Sequence, residues 1–296
     1  MCIRDRRGSL QWYKNGPQKD WTESDHEKYY KWRDKVYDKM QDRLMKARGV
    51  RNDQVLRRQK AIINGNKITT EIWNFGSISS PGNVTTDIVW EQLGYGYEFG
   101  PFIVAPVEVP AGSHPDAYID TTETGDPILD ENGQPIWKAI VISDGLVSNG
   151  GEIAPDGSAF WGWEPLAFND QNVPFADPNN DRIPTSNDVD RDGDGKPDSW
   201  PEGWYNPNIK RYVWPGALRQ GSSNSDLESF FVVDDRSNQE FEYYPFPDDS
   251  TRRGLGIEIE CRYYQWANPL AEDIIFLVYR ITNKSPKDLN LSLIHI

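Results

Sequence analysis

From residue 61 onward the chain alternates apolar and polar positions with a period of two, the mark of strands that bury one face. Ala61-Ile62-Ile63 and Ile68 to Phe75 flank Asn64-Gly65-Asn66, and the short turn between two such runs predicts a hairpin. Asp87 to Trp90 and Tyr97 through Val109 read as further strands. A polar loop over 111–135 carries Asp130-Glu131-Asn132-Gly133 as a predicted hairpin tip, and the chain returns through Ile136 to Ser143. Residues 145–208 are long and poor in strand signals. Strands resume at Phe230 to Val233, Phe241 to Tyr244, Gly256 to Trp266 and Asp273 to Thr282. The last of these is the most apolar, which predicts a central position in its sheet. Asn283-Lys284-Ser285 turns the chain, and Leu289-Asn290-Leu291 restarts a strand.

The pattern predicts an all-β fold, an antiparallel β-sandwich with long loops in which residues 61–144 and 230–291 share one core. One segment departs from period two. Residues 22–48 predict an amphipathic helix: Ser24 with Glu27 forms a capping box, Gly49 is the stop, and Tyr29, Trp32, Val36, Met40 and Leu44 make one apolar stripe. The stripe is expected to lie on the β domain through Trp32, Val36 and Met40.

Composition sharpens the picture. The 296 residues carry a net charge of −14, which argues against a nucleic-acid partner. The charge is uneven: residues 1–67 hold 18 Lys/Arg against 9 Asp/Glu, so the acidity belongs to the predicted β domain. No apolar run approaches the ~18 residues of a membrane span. Cys261 sits in an alternating strand and reads as a buried free thiol, with no disulfide framework.

The densest chemistry lies between Asp177 and Asp198, which hold seven Asp in 22 residues. Its tightest part is Asp190-x-Asp192-x-Asp194-Gly195-x-x-Asp198. A hard dication needs six to eight oxygens, and alternate residues of a tight loop can aim carboxylates inward around a Gly turn. The twelfth position from Asp190 is Pro201, where an EF-hand needs its bidentate Glu, so this is not an EF-hand. A run of acids can also be a plain solvated linker.

The stretch resembles a thrombospondin type 3 calcium repeat, in which short Asp/Asn-rich turns wrap Ca²⁺ ions. The resemblance implies one turn from Asp177, Asn179 and Asp181, and a second from Asp188, Asp190, Asp192, Asp194 and Asp198. Arg182 stands where that family has Gly, and its cysteines are absent.

Other chemistry is sparse. His26 and His114 lie in unrelated contexts, and no metal-spaced His/Cys cluster or nucleophile elbow occurs. Asp234/Asp235 and Glu258/Glu260 are carboxylate pairs by position, against the plainer expectation of solvated acids at strand edges. Trp161, Trp163, Trp200, Trp204 and Tyr205 could stack on sugar rings, or could fasten the long loop to the sheet.

Met1 to Arg6 and Leu291 to Ile296 resemble translated sequencing adapters. The expected plan is an artefactual or disordered start over 1–21, a helical arm over 22–60, a truncated β-sandwich over 61–290 with the calcium-type loop at 145–208, and an artefactual end over 291–296. A signal peptide is then expected to be lost upstream. Val278 to Ser285 resembles a strand and turn of bacterial immunoglobulin-like surface domains. Asn66 to Ile68, Asn74 to Ser77, Tyr97 to Phe102, Glu242 to Pro247 and Tyr264 to Trp266 resemble uncharacterised secreted bacterial proteins, many of which carry a sorting domain for type IX secretion. That resemblance implies secretion or a cell-surface location and names no chemistry. The expected function is a non-catalytic calcium-binding module of adhesion or structural type, with carbohydrate or cell-surface components as partners. The alternative is a carbohydrate-binding module or a glycoside hydrolase fragment.

Overall fold

The computed structural model describes Thr22, residues 58–79, 88–91, 93–96, 98–145, 153–154, 158–166, 183–219 and 221–289, and the backbone of Ser292–His295. The helix expected over 22–48, with Trp32, Val36 and Met40, lies outside the described residues, as do Asp177, Asn179 and Asp181.

The chain forms strands β1 (Lys60–Ile63), β2 (Ile68–Trp73), β3 (Val89–Trp90), β4 (Leu93–Gly94), β5 (Pro101–Glu108), β6 (Tyr118–Ile119) and β7 (Trp137–Ser143). They are followed by β8 (Glu164–Pro165), β9 (Tyr205–Asn206), β10 (Arg211–Tyr212), β11 (Leu227–Asp234), β12 (Ile257–Gln265), β13 (Phe276–Asn283) and β14 (Ser292–His295). The fold is all-β and antiparallel. One sheet runs β1-β2-β3-β4, a second β14-β5-β7-β6 and a third β13-β12-β11-β8, with β9 and β10 as a short ribbon.

The turn chemistry acts where the sequence placed it. Asn64 to Asn66 join β1 to β2, with Ile63 opposite Thr70. At Asp130 to Gly133 the Asp130 carboxylate accepts the amides of Asn132 (2.9 Å) and Gln134 (2.8 Å), and Gly133 takes a positive φ of 75°. Those bonds also hold the Asp130 carboxyl below the usual carboxylate range, Gln134 contributing most.

One core joins the two halves of the chain. Ile63 and Ile72 of the first sheet, Ile103, Ala105, Val107, Ala139 and Val141 of the second, and Phe231, Val233, Ile257, Ile259, Cys261 and Tyr263 of the third belong to one buried cluster. Cys261 is a buried free thiol, as expected, and burial pushes it far above the ordinary thiol range. A long-range clamp ties the first hairpin to the end of β12. Gln265 accepts the Gly65 amide at 2.7 Å and donates to Asn66 Oδ1 (2.8 Å) and the Ile68 carbonyl (2.7 Å). A Cβ on Gly65 would sit 2.5 Å from Leu227 Cβ, so glycine permits this approach.

Two strand expectations are corrected. The segment 273–282 is not central: β13 is the terminal strand of its sheet, and every second residue from Phe276 faces outward. Apolarity measured the strand's own composition and not its neighbours. The doubly buried strand is β11, whose polar Glu228, Ser229 and Asp234 are as buried as its Phe and Val. Phe231 and Val233 enter the shared core, while Phe230 and Val232 enter a second cluster with Leu166, Trp200, Trp204 and Trp214.

Phe241 to Tyr244 is not a strand either. Arg253 donates from Nε to the Tyr243 carbonyl (3.2 Å) and from Nη2 to the Phe241 carbonyl, so a guanidinium replaces the ladder. Backbone Ser292–His295, within the stretch that resembles adapter sequence, pairs with β5 from Val104 to Pro101. Among the described residues no helix is long and apolar enough to cross a membrane.

Candidate metal centre

The acidic loop is mounted on β11. Thr185 bridges Ser229, the Ser186 amide donates to the Glu228 carbonyl (2.8 Å), and Ser186 Oγ accepts the Glu228 amide (2.9 Å). Where the loop returns, Trp200 Nε1 donates to the Thr185 carbonyl at 2.9 Å. Trp200, Trp204 and Trp214 meet with ring centroids 5.2–5.7 Å apart, and Trp204 stacks on Phe230. This aromatic cluster is the floor on which the loop stands.

The neck of the loop is closed by Arg191. Its Nη1 contacts Asp188 Oδ1 (2.8 Å) and Asp198 Oδ2 (2.6 Å), and its amide donates to Asp198 Oδ1 (2.9 Å). Asp188 Oδ2 accepts the Ser199 amide at 2.7 Å. These two Asp therefore face a guanidinium. Partial burial works to raise Asp188, but hydrogen bonds from Ser199, Val189 and Arg191 outweigh it and hold the carboxyl below its ordinary range.

Beyond the neck, Asp190, Asp192 and Asp194 converge. One carboxylate oxygen from each lies within 4.8 Å of the others. Asp190 accepts the Gly193 amide (2.6 Å) and the Gly195 amide (2.8 Å). Asp192 accepts the Asp194 amide (3.1 Å), and Asp194 accepts the Lys196 amide (2.8 Å). The backbone thus coils in short Asx turns. Gly193 and Gly195 take φ of 84° and 90°, a region a side chain rarely adopts. The Gly195 and Gly193 amides hold the Asp190 carboxyl below the usual range, so it is ionised at neutral pH.

Lys196, beside the three acids in sequence, turns away to Glu202 (2.6 Å), which also accepts the Tyr212 hydroxyl (2.7 Å). These two partners, Lys196 first, hold Glu202 below its usual range. Burial, with Glu202 adding to it, pushes Tyr212 up to about 12.

The arrangement can hold a hard cation. Two oxygens each about 2.4 Å from one ion can be no more than about 4.8 Å apart, and the tip meets that limit with three carboxylates. An all-oxygen donor set suits Ca²⁺, Mg²⁺ or Mn²⁺ rather than a soft metal. Of the expected second turn, the structure brings together Asp190, Asp192 and Asp194, and places Asp188 and Asp198 on Arg191. Arg191 stands three residues after Asp188 and seven before Asp198, near enough for one guanidinium to reach both, but that spacing does not say which acids it takes.

The other candidate groups serve the fold. Asp235 is fully buried and accepts the amides of Leu255 (2.6 Å), Gly256 (3.1 Å) and Ile257 (3.1 Å) and the Ser143 hydroxyl (3.1 Å). Asp234 pairs with Arg236. Glu258 lies 3.4 Å from Lys284, and Glu260 lies 3.8 Å from Arg280. Among the loop aromatics, Trp163, Trp200 and Trp204 are buried, Trp161 is half-buried and Tyr205 is exposed. His114 packs edge-on to Phe241 at 4.6 Å.

Acid should open this loop before it opens the sheets. Asp188, Asp190 and Glu202 all have depressed values, so the stability they contribute is fully present above the ordinary carboxylate range and is lost as pH falls through the lowered values. Below about pH 4, amide hydrogen exchange over 188–202 is expected to accelerate while β11 and β12 stay protected. Equal acceleration in loop and sheets would show that these carboxylates do not govern the loop.

Compared with known proteins, the chain matches no family model, no curated protein and no solved structure.

Proposed function

We propose that this chain is a non-catalytic, calcium-binding β-sandwich protein, acting outside the cell or at its surface in an adhesive or structural role. The observation that carries the reading is the convergence of Asp190, Asp192 and Asp194 on a glycine-turned tip. Ca²⁺ is favoured over Mg²⁺ because the tip is exposed and built of successive turns. Mg²⁺ demands near-ideal octahedral geometry, whereas Ca²⁺ accepts irregular shells completed by carbonyls and water. The thrombospondin type 3-like spacing supports the same ion, and the resemblance to secreted bacterial proteins supports the location, with cell-surface components as partners.

A bound ion would neutralise three like charges and brace the loop against its tryptophan floor. Its role is then stiffening, not catalysis. The carbohydrate alternative is weakened because Trp163, Trp200 and Trp204 are buried, and because Asp235 is engaged by the backbone.

Thermal unfolding with added Ca²⁺ tests the proposal. Ion at a hundred times its dissociation constant should stabilise by about 2.7 kcal/mol, and indole emission from the tryptophan floor should change along the same titration. Asp192→Asn/Asp194→Asn should remove both responses without changing the melting point measured in chelator. No Ca²⁺-dependent shift, or the same shift in the double variant, would return the loop to a plain acidic connection.

A further inference from the structure

β13 ends its sheet with an unusual edge. It pairs with β12 without a bulge over eight residues, from Phe276 opposite Tyr264 to Asn283 opposite Ile257. Among the described residues no strand pairs with its other side. Sheet edges are normally blunted by proline, bulges, short length or several charges, because an open edge templates further pairing. This strand contains no proline and one charge, Arg280, and two of its outward side chains are large and apolar: Phe276 is 42% exposed and Val278 49%.

The charges flanking the strand are arranged by end. Glu272 and Asp273 precede it, while Arg280 opens its second half and Lys284 and Lys287 follow, with the single acid Asp288 after them. Their present contacts are local: Glu272 with Lys67 (2.7 Å), Asp273 with Trp90 Nε1 (2.7 Å), and Lys284 with Glu258 (3.4 Å). Lys287 lies over the Tyr243 ring at 4.5 Å. Arg280 reaches Glu260 at 3.8 Å with its side chain 76% exposed. A strand with an acidic start and a basic end is complementary to its own antiparallel copy. Parallel pairing would set like against like.

We propose that the β13 edge joins the same edge of a second copy of this chain, antiparallel about a twofold axis at Tyr279, to give one continuous eight-stranded sheet. Phe276 then faces Thr282 of the partner subunit, and Val278 faces Arg280 of the partner subunit. The acidic start at Glu272 and Asp273 lies toward the basic end of the other strand. The twofold operation uses one patch twice and closes the edge, so assembly stops at the dimer. Long-range repulsion from a net charge of −14 per chain is screened beyond about 8 Å at physiological salt, leaving the local complementarity to act.

Sedimentation equilibrium of the full chain from about 1 to about 100 µM tests this. A monomer–dimer equilibrium is expected. Val278→Lys, at a half-exposed site, sets the new ammonium against Arg280 of the partner subunit and should weaken the dimer at least about tenfold. The double variant Val278→Lys/Arg280→Glu places opposite charges face to face twice and should regain it. If the lysine variant does not fold, as judged by its melting point, Phe276→Lys gives the same readout, because Thr282 of the partner subunit lies between Arg280 and Lys284. A monomer at every concentration, a dimer indifferent to Val278→Lys, or a loss that the double variant does not reverse would each overturn the proposal.

Discussion

Asp235→Ala is expected to destabilise the protein by about 4 kcal/mol, because three buried backbone amides lose their acceptor and each orphaned donor costs about 1–3 kcal/mol. The geometry leaves no easy substitute. Gly254 approaches so closely that a Cβ there would lie 2.2 Å from the Asp235 carbonyl oxygen, so the corner is already filled. Burial pushes the Asp235 carboxyl up to about 7, against the pull of the Leu255 amide. In its neutral form the hydroxyl can donate to Ser143 Oγ while the three backbone bonds persist.

The sign of the pH effect follows. With the folded value above the unfolded one, the stability from protonation is fully present below about pH 4 and is lost as pH rises through about 7. Asp235→Asn imitates the neutral acid, so it should cost less than alanine and should flatten this part of the profile. Urea unfolding at pH 5 and pH 8 measures both effects. An alanine variant within 1 kcal/mol of the parent, or an asparagine variant with unchanged pH dependence, would refute this account of the corner.

The second large effect is expected at the buried ion pair between β11 and β12. Glu228 is fully buried; it accepts from Arg262 Nη1 and from Trp214 Nε1 (2.9 Å). Arg262 also donates to the Pro215 carbonyl (2.8 Å), and its guanidinium lies 3.6 Å over the Phe230 ring. Replacing Arg262 by Met removes the one positive partner of Glu228 among the described residues and leaves an uncompensated carboxylate in the interior. Such losses cost about 3–5 kcal/mol. Adding Glu228→Gln to that variant removes the stranded charge yet keeps an acceptor for Trp214, so it should restore more than half of the loss. A double variant no more stable than Arg262→Met would mean that packing of the arginine, and not its charge, carries the effect.

These residues also explain what could be read from the chain in advance. Hairpins at Asn64–Asn66 and Asp130–Gly133 were legible because turn chemistry is local. β12 was legible because it alternates strictly at its start. The importance of β11 was not, since Glu228 and Asp234 look like surface residues until Arg262 and Arg236 are placed beside them. For the acidic loop, the spacing of Asp190, Asp192 and Asp194 announced convergence. The diversion of Asp188 and Asp198 to Arg191 depended on how the neck closes, which spacing alone does not encode. Trp214 was missed as the third wall of the tryptophan cluster, although Trp214-Pro215 repeats the Trp200-Pro201 step.

The clamp between Gly65 and Gln265 sets a timetable for folding. Its two ends are 200 residues apart, so the first hairpin gains this contact only once the chain through Gln265 is available to it. Loop closure over such a span is paid before the contact rewards it, which slows the search and lengthens the life of partly folded states. During that interval the apolar faces of β2 and β5 have no cover from β11 and β12, and the chain is open to wrong strand pairing. A holding factor bound to residues 60–145 until β12 emerges would shorten that exposure, and a chain released before residue 265 would lack the piece that locks its beginning in place.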